Sequence, residues 1–205
     1  MLRKITITGL VAALGLLAVP TLADDHDHDH HHHDDLLVGR SATGQLNIEF
    51  DFDEPQFLPP VSGLLSGWAG DDPGFMARHD DEADEDFLRL APGAQLRFEL
   101  VGVDPALKAY SPGFATTLSS PGDSFVFPVD DEDILHTHLV WHIDVTDPAF
   151  DPLQTVWSLD FRLTDVGTTG YAASEVYTLA FTNVPEPASL GVLLAAGLML
   201  ARRRG

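Results

Sequence analysis

The sequence contains 205 residues, of which 32 are acidic and 11 are lysine or arginine, and its formal net charge is −21 at pH 7. A surface this acidic repels phosphate backbones, which argues against nucleic-acid binding and favours cations as partners. The chain has no cysteine, which excludes disulfides, thiolate metal sites and cysteine nucleophiles. Any metal site must therefore use histidine nitrogens and carboxylate oxygens.

Residues 1–23 predict a secretory signal peptide. Arg3 and Lys4 precede an apolar run from Ile5 to Val19, and Thr21-Leu22-Ala23 supplies the small residues of a cleavage site. We therefore expect signal peptidase to process the chain and the remainder to be exported.

Residues 24–35, with the sequence DDHDHDHHHHDD, predict a disordered tail that binds metal. The segment has no apolar residue and cannot contribute to a core. Its imidazoles belong to His26, His28, His30, His31, His32 and His33. Neutral imidazole is a ligand for zinc and other divalent transition metals. The alternative is a charged segment that is merely solvated.

Residues 36–183 predict one all-β domain, an antiparallel β-sandwich that resembles a jelly roll. Apolar and polar residues alternate in four segments, which is the period of a half-buried strand. The apolar positions are Leu46, Ile48, Phe50 and Phe52; Leu96, Phe98 and Leu100; Trp157, Leu159, Phe161 and Leu163; and Tyr177, Leu179 and Phe181. Proline and glycine turn signals separate these segments, and no helical period is sustained between them.

The stretch from Pro55 to Asp86 is the least regular part of the domain and predicts a long surface loop. It ends in His79 followed by the acidic run Asp80–Asp86. Carboxylates of such a run can bind calcium, although the spacing and the central glycine of an EF-hand loop are missing. The alternative is an exposed acidic loop without a metal.

The segment from His136 to Ile143 is the most informative part of the domain, and we interpret it as a single strand. One face would carry His136, His138, Val140 and His142, and the face toward the core would carry Thr137, Leu139, Trp141 and Ile143. His136 and His138 would then be about 7 Å apart and able to bind one ion. His142 lies too far along the strand to join them unless the strand bends.

Zinc takes four ligands, or three and a water molecule, so this strand alone is insufficient. Candidates for the remaining ligands are His79, Asp80, Asp81, or an acid from Asp130 to Asp133. The alternative is that the three histidines make structural hydrogen bonds or lie on a solvated face.

Catalysis has less support, and we predict that the protein is not an enzyme. His136-x-His138 followed by His142 is similar to the first cupin motif, but histidine replaces its glutamate and no second motif follows. The chain also lacks the GxSxG turn of serine hydrolases.

Residues 184–205 predict a sorting signal. Pro185-Glu186-Pro187 precedes an apolar run from Ala188 to Ala201, and the cluster Arg202-Arg203-Arg204 follows it. This order resembles the PEP-CTERM sorting signal of Gram-negative bacteria. The resemblance implies transient anchoring in the inner membrane by this segment, cleavage by an exosortase-type enzyme and transfer to the cell surface. The alternative is an ordinary C-terminal membrane anchor.

The rest of the chain resembles the PEP-CTERM proteins that are repressed by the zinc-uptake regulator. The resemblance rests on the histidine-rich start, Asp72-Pro73-Gly74-Phe75, Leu90-Ala91-Pro92-Gly93-Ala94, His136-Thr137-His138, Gly170-Tyr171 and Ser174-Glu175-Val176-Tyr177-Thr178-Leu179. It implies a connection with zinc, because proteins made under zinc shortage are expected to bind, store or deliver that metal.

These observations predict an exported zinc-binding protein that captures or stores metal outside the cytoplasm. Its expected partners are divalent metal ions, the two processing enzymes, and the cell envelope or an extracellular polysaccharide. The main alternative is a non-catalytic structural or adhesive protein of the cell surface, in which the acidic residues serve hydration or calcium-mediated cohesion. A third interpretation is an enzyme with a histidine-bound metal, which requires a converging third ligand and a concave pocket.

Overall fold

The structure, a computed structural model, describes residues 35–128 and 135–185. The predicted signal peptide, the histidines of the tail, the acidic run Asp130–Asp133 and the sorting signal after Pro185 lie outside the described residues. Within the two described ranges, no helix is long and apolar enough to cross a membrane.

The described residues form short strands joined by turns. The strands are β1 (Leu36–Arg40), β2 (Leu46–Glu49), β3 (Gln56–Phe57), β4 (Pro60–Val61), β5 (Gly67–Gly70), β6 (Phe75–Ala77), β7 (Leu96–Val103), β8 (Leu107–Tyr110), β9 (Thr117–Leu118), β10 (Ser124–Val126), β11 (His136–Thr137), β12 (Val140–Asp144), β13 (Val156–Asp165) and β14 (Tyr177–Thr182). Two short 3-10 helices lie at Ala83–Glu85 and Pro112–Phe114. The prediction of an all-β domain is confirmed.

The strands form three sheets. A four-stranded sheet has the order β11-β6-β1-β2, and two five-stranded sheets have the orders β10-β7-β13-β14-β3 and β4-β5-β12-β8-β9. Most pairs are antiparallel, as predicted. Two pairs differ, because β1 runs parallel to β6 and β14 runs parallel to β3. The first of these parallel pairs brings distant parts of the chain to the candidate site.

One hydrophobic core joins the three sheets. The alternating apolar side chains of β13 are all buried, with Trp157, Phe161 and Leu163 fully inaccessible to solvent. Phe75 of β6 packs against the rings of Phe98, Phe127, Trp141 and Phe161. Burial of a large apolar side chain contributes about 1.5–3 kcal/mol, so this aromatic cluster holds β6 firmly in place.

The expectation of a long loop from Pro55 to Asp86 is wrong. This stretch contains β3, β4, β5 and β6 as well as the first 3-10 helix. These strands are two to four residues long, which is too short for an alternating pattern to be visible in the sequence. Phe50 and Phe52 also lie beyond the end of β2, although both pack against the core.

Candidate metal centre

The segment from His136 to Ile143 is not a single strand. β11 pairs with β6 in the four-stranded sheet, whereas β12 lies between β5 and β8 in a five-stranded sheet. The expected core-facing residues Thr137, Leu139, Trp141 and Ile143 are nevertheless buried. The break falls at His138 and Leu139 and separates His142 from the other two histidines.

Asp35, His136 and His138 form a group that could hold a metal ion. Each offers one ligand atom, and these atoms all lie within 4.8 Å of one another. The two Nε2 atoms are 3.2 Å apart, and Asp35 Oδ2 lies 3.6 Å from His136 Nε2. Two ligands of a tetrahedral zinc ion are ~3.3 Å apart when each bond is about 2.0–2.1 Å long. The spacing therefore suits a small divalent ion.

Strand register brings these residues together from distant parts of the sequence. Phe75 of β6 pairs with Leu36 of β1 on one side and with Thr137 of β11 on the other. One position further along the sheet, Asp35 and His138 therefore lie on either side of Gly74. The Gly74 amide donates a hydrogen bond to Asp35, and the His138 ring lies where a side chain at Gly74 would begin.

The carboxylate of Asp35 has a fixed orientation. The side chain is only 8% exposed, and its Oδ1 atom accepts a hydrogen bond of 2.9 Å from the Gly74 amide. That bond leaves Oδ2 directed toward His136. A carboxylate held in this way loses little conformational freedom when it binds a metal.

The ring of His138 is held with its Nε2 atom toward His136. Its Nδ1 atom lies 2.9 Å from the carbonyl oxygen of Asp71. Because a carbonyl oxygen can only accept, Nδ1 carries a proton, and in the neutral ring Nε2 then presents a lone pair. This is the usual arrangement of histidines that bind metals, in which the second ring nitrogen donates to a fixed acceptor.

The segment Asp71–Gly74 connects this site to the core. The Pro73 carbonyl oxygen accepts a 3.0 Å hydrogen bond from the buried Trp141 indole nitrogen, and Phe75 follows directly in the aromatic cluster. The acceptor for His138 and the donor for Asp35 are thus both parts of one anchored turn. The two side chains are positioned before any ion binds.

The third residue, His136, is more accessible. Its side chain is 47% exposed, compared with 34% for His138. It belongs to β11, which is the first strand in the order of its sheet. The candidate site is therefore anchored on the Asp35 side and accessible on the His136 side.

His142 lies elsewhere and has a structural environment. It is 2% exposed, its Nε2 atom donates to the Ser66 carbonyl oxygen at 3.1 Å, and its Nδ1 atom faces the Tyr110 hydroxyl at 3.4 Å. Burial lowers the pKa of His142, because the charged imidazolium is poorly solvated there. The structure does not bring His142 to the metal group.

His79 and its acidic neighbours also lie apart from the group. His79 is exposed. Asp81 Oδ1 accepts a hydrogen bond from the Arg89 amide at 2.9 Å, and Asp86 Oδ1 accepts one from the Ala42 amide at 2.6 Å. The Asp81 bond stabilises its own loop, and the Asp86 bond connects that loop to the turn after β1. Within residues 35–128 and 135–185, the group of Asp35, His136 and His138 is the only cluster of three possible metal ligands.

Asp35 is the ligand that sequence reasoning did not single out. By composition it belongs to the histidine- and aspartate-rich segment, and nothing in that pattern distinguishes it from Asp34. The available signal was its position directly before Leu36, which begins the first apolar run of the domain.

No protein-family model matches this chain, and neither does any curated protein or solved structure. The candidate site is therefore interpreted from its geometry and donor chemistry.

Proposed function

We propose that the protein is an exported, non-catalytic zinc-binding protein that captures or stores metal outside the cytoplasm. The observation that carries the proposal is the convergence of Asp35, His136 and His138, with two of the three ligands already oriented by the Asp71–Gly74 turn. Polar side chains that only contact water would not need hydrogen bonds that fix their orientation, as Asp35 and His138 have.

The donor set favours zinc over calcium and magnesium. Two imidazole nitrogens and one carboxylate oxygen form a common zinc ligand set, whereas calcium and magnesium prefer sites built from oxygen alone. Copper, nickel and iron also accept imidazole. The three-ligand geometry does not distinguish zinc from these metals, since two histidines and one carboxylate also bind iron(II). The choice of zinc rests on the resemblance of the sequence to PEP-CTERM proteins repressed by the zinc-uptake regulator.

The histidine-rich segment would collect metal for this site. His33 precedes Asp35 by two residues, so an ion bound by the tail remains close to the folded site. Such tethering raises the effective concentration of metal without any additional contact. The signal peptide and the sorting signal expected at the two ends would place both metal-binding parts at the cell surface.

The direct test is a calorimetric zinc titration of the full chain and of the double variant His136→Ala/His138→Ala. We expect one tight site in the unaltered chain and its loss in the double variant, with weaker binding to the tail retained. His79→Ala is the matched control, because His79 is an exposed histidine outside the group, and it should leave the tight site intact.

Identical zinc isotherms for the unaltered chain and the double variant would refute the proposed site. If zinc also failed to raise the melting temperature while calcium did raise it, the structural or adhesive surface role would be the better account.

A further inference from the structure

We infer that a metal ion in this site keeps one coordination position open to solvent, and that an imidazole of a second molecule occupies this position when metal is exchanged. The inference rests on the proposed function, since it requires that the site binds zinc. It adds the chemical class of the exchange partner and the side from which that partner approaches.

The described residues provide fewer ligands than a zinc ion takes. Zinc takes four ligands, and metal sites that exchange or activate a ligand typically have three from the protein and one open position. The described residues provide three. No fourth histidine, aspartate or glutamate atom among them lies within 4.8 Å of all three.

Solvent reaches the site from the side of His136. Asp35 is buried, and the His138 ring lies against Gly74, so the protein closes that side of the site. The opposite side carries His136, whose side chain is 47% exposed. An incoming donor must therefore approach beside His136.

The charge of the loaded site and of the protein around it favours a neutral donor. A divalent cation bound by one carboxylate and two neutral imidazoles keeps one net positive charge. A neutral imidazole can bind there without first being desolvated as an ion, whereas the acidity of the surrounding protein disfavours anionic donors.

Exchange by this route is a simple ligand substitution. The incoming imidazole nitrogen forms a bond to the metal as a water molecule leaves, and the bond to His136 then breaks while Asp35 and His138 keep their positions. No oxidation state changes, and the neutral imidazole brings no net charge. We assign the broken bond to His136 because its side chain is the most exposed of the three ligands.

Cobalt substitution tests this inference in the full chain. Cobalt(II) in a four-coordinate site absorbs visible light strongly, and its spectrum changes when a ligand changes. The chain is loaded with one equivalent of cobalt, which fills the tight site before the weaker tail. An equally loaded Asp35→Asn/His138→Gln variant is titrated separately and gives the response of cobalt bound by the tail. Free imidazole is then titrated into the sample.

We expect a saturable shift of the spectrum of the unaltered chain with imidazole that the variant does not reproduce, together with faster release of cobalt to a chelator as the imidazole concentration rises. A spectrum of the unaltered chain that does not respond to imidazole would overturn the inference, because the fourth position would then be closed. A response that appears only after deletion of residues 24–34 would overturn it as well, because the tail would then supply the fourth ligand. Identical cobalt spectra of the unaltered chain and the variant would instead refute the proposed function.

Discussion

Gly74 lies directly against the imidazole of His138. A Cβ atom added to Gly74 would be 2.6 Å from Cε1 and 2.7 Å from Nδ1 of that ring, which is closer than two carbon or nitrogen atoms can approach without displacement. The backbone amide of the same glycine donates to Asp35. A single residue without a side chain therefore positions two of the three candidate ligands.

Replacement of Gly74 by alanine should weaken zinc binding by about 10- to 100-fold, which is the range found for residues that orient metal ligands. The ring of His138 must move, and its bond to the Asp71 carbonyl oxygen is lost. Overpacking should cost about 1–3 kcal/mol of stability. Zinc calorimetry and urea unfolding measure the two effects.

Gly70→Ala is the control for that substitution. A Cβ atom at Gly70 would meet the flexible end of Leu58 at 3.3 Å and would touch no candidate ligand. Its zinc affinity should stay unchanged. Equal affinities for the two alanine variants would show that Gly74 does not position His138.

Asp35→Asn should reduce zinc affinity without unfolding the domain. The amide oxygen of asparagine can still accept the bond from the Gly74 amide, but the charged Oδ2 atom is lost. Asp81→Asn is a matched control, because Asp81 also accepts a bond from a backbone amide and lies outside the group. Unchanged zinc affinity in Asp35→Asn would contradict the assignment of Asp35 as a ligand. Circular dichroism checks that both variants fold.

Deletion of residues 24–34 should lower the zinc stoichiometry and leave one tight site of unchanged affinity. The deletion must end before Asp35, because a longer one removes a ligand of the folded site. Zinc per chain is measured after equilibrium dialysis. An unchanged stoichiometry would show that the histidines from His26 to His33 bind no metal.

Stability should fall as the pH drops below about 6.5, the ordinary histidine value. The pKa of His142 is lowered in the folded state by burial, with Lys108 also opposing the charge and Asp144 favouring it. Above pH 6.5 His142 is neutral in both states, and its contribution to stability is complete. As the pH falls from there toward the lowered pKa, the unfolded chain binds a proton that the folded chain does not, so stability is lost.

Urea unfolding at pH 7.5 and pH 5, with a chelator present to remove metal, measures this loss. His142→Gln should reduce the difference between the two pH values, since glutamine can still donate to the Ser66 carbonyl oxygen and does not titrate. His79→Gln, at an exposed position, should leave the difference unchanged. If the unaltered chain, His142→Gln and His79→Gln all lost the same stability between the two pH values, groups other than His142 would cause the loss.

Local pattern was sufficient to predict the long strands but not the site. The alternation of Trp157, Leu159, Phe161 and Leu163 reports a strand with one buried face, and β13 has that face in the core. The pairing of β11 and β12 with different sheets depends on contacts far away in the sequence. Periodicity over eight residues contains no information about such contacts.

The cluster of Asp35, His136 and His138 could also be predicted only in part from local sequence patterns. His136 and His138 could be recognised because two residues of strand place them on one side. Asp35 joins them only through the parallel pairing of β1 with β6, which the alternation within either segment does not predict. The Asp72-Pro73-Gly74 turn was visible in the sequence as a turn, whereas its contact with His138 required the fold.

The candidate ligands come from distant parts of the chain, since Asp35 precedes the first strand and His136 begins the eleventh. An ion bound by both would close a loop of about a hundred residues, a constraint comparable with that of a long-range disulfide bond. A chain without cysteine cannot form a disulfide bond for this purpose. Its resistance to unfolding would then follow the free zinc concentration of its surroundings, and metal starvation would loosen the protein itself.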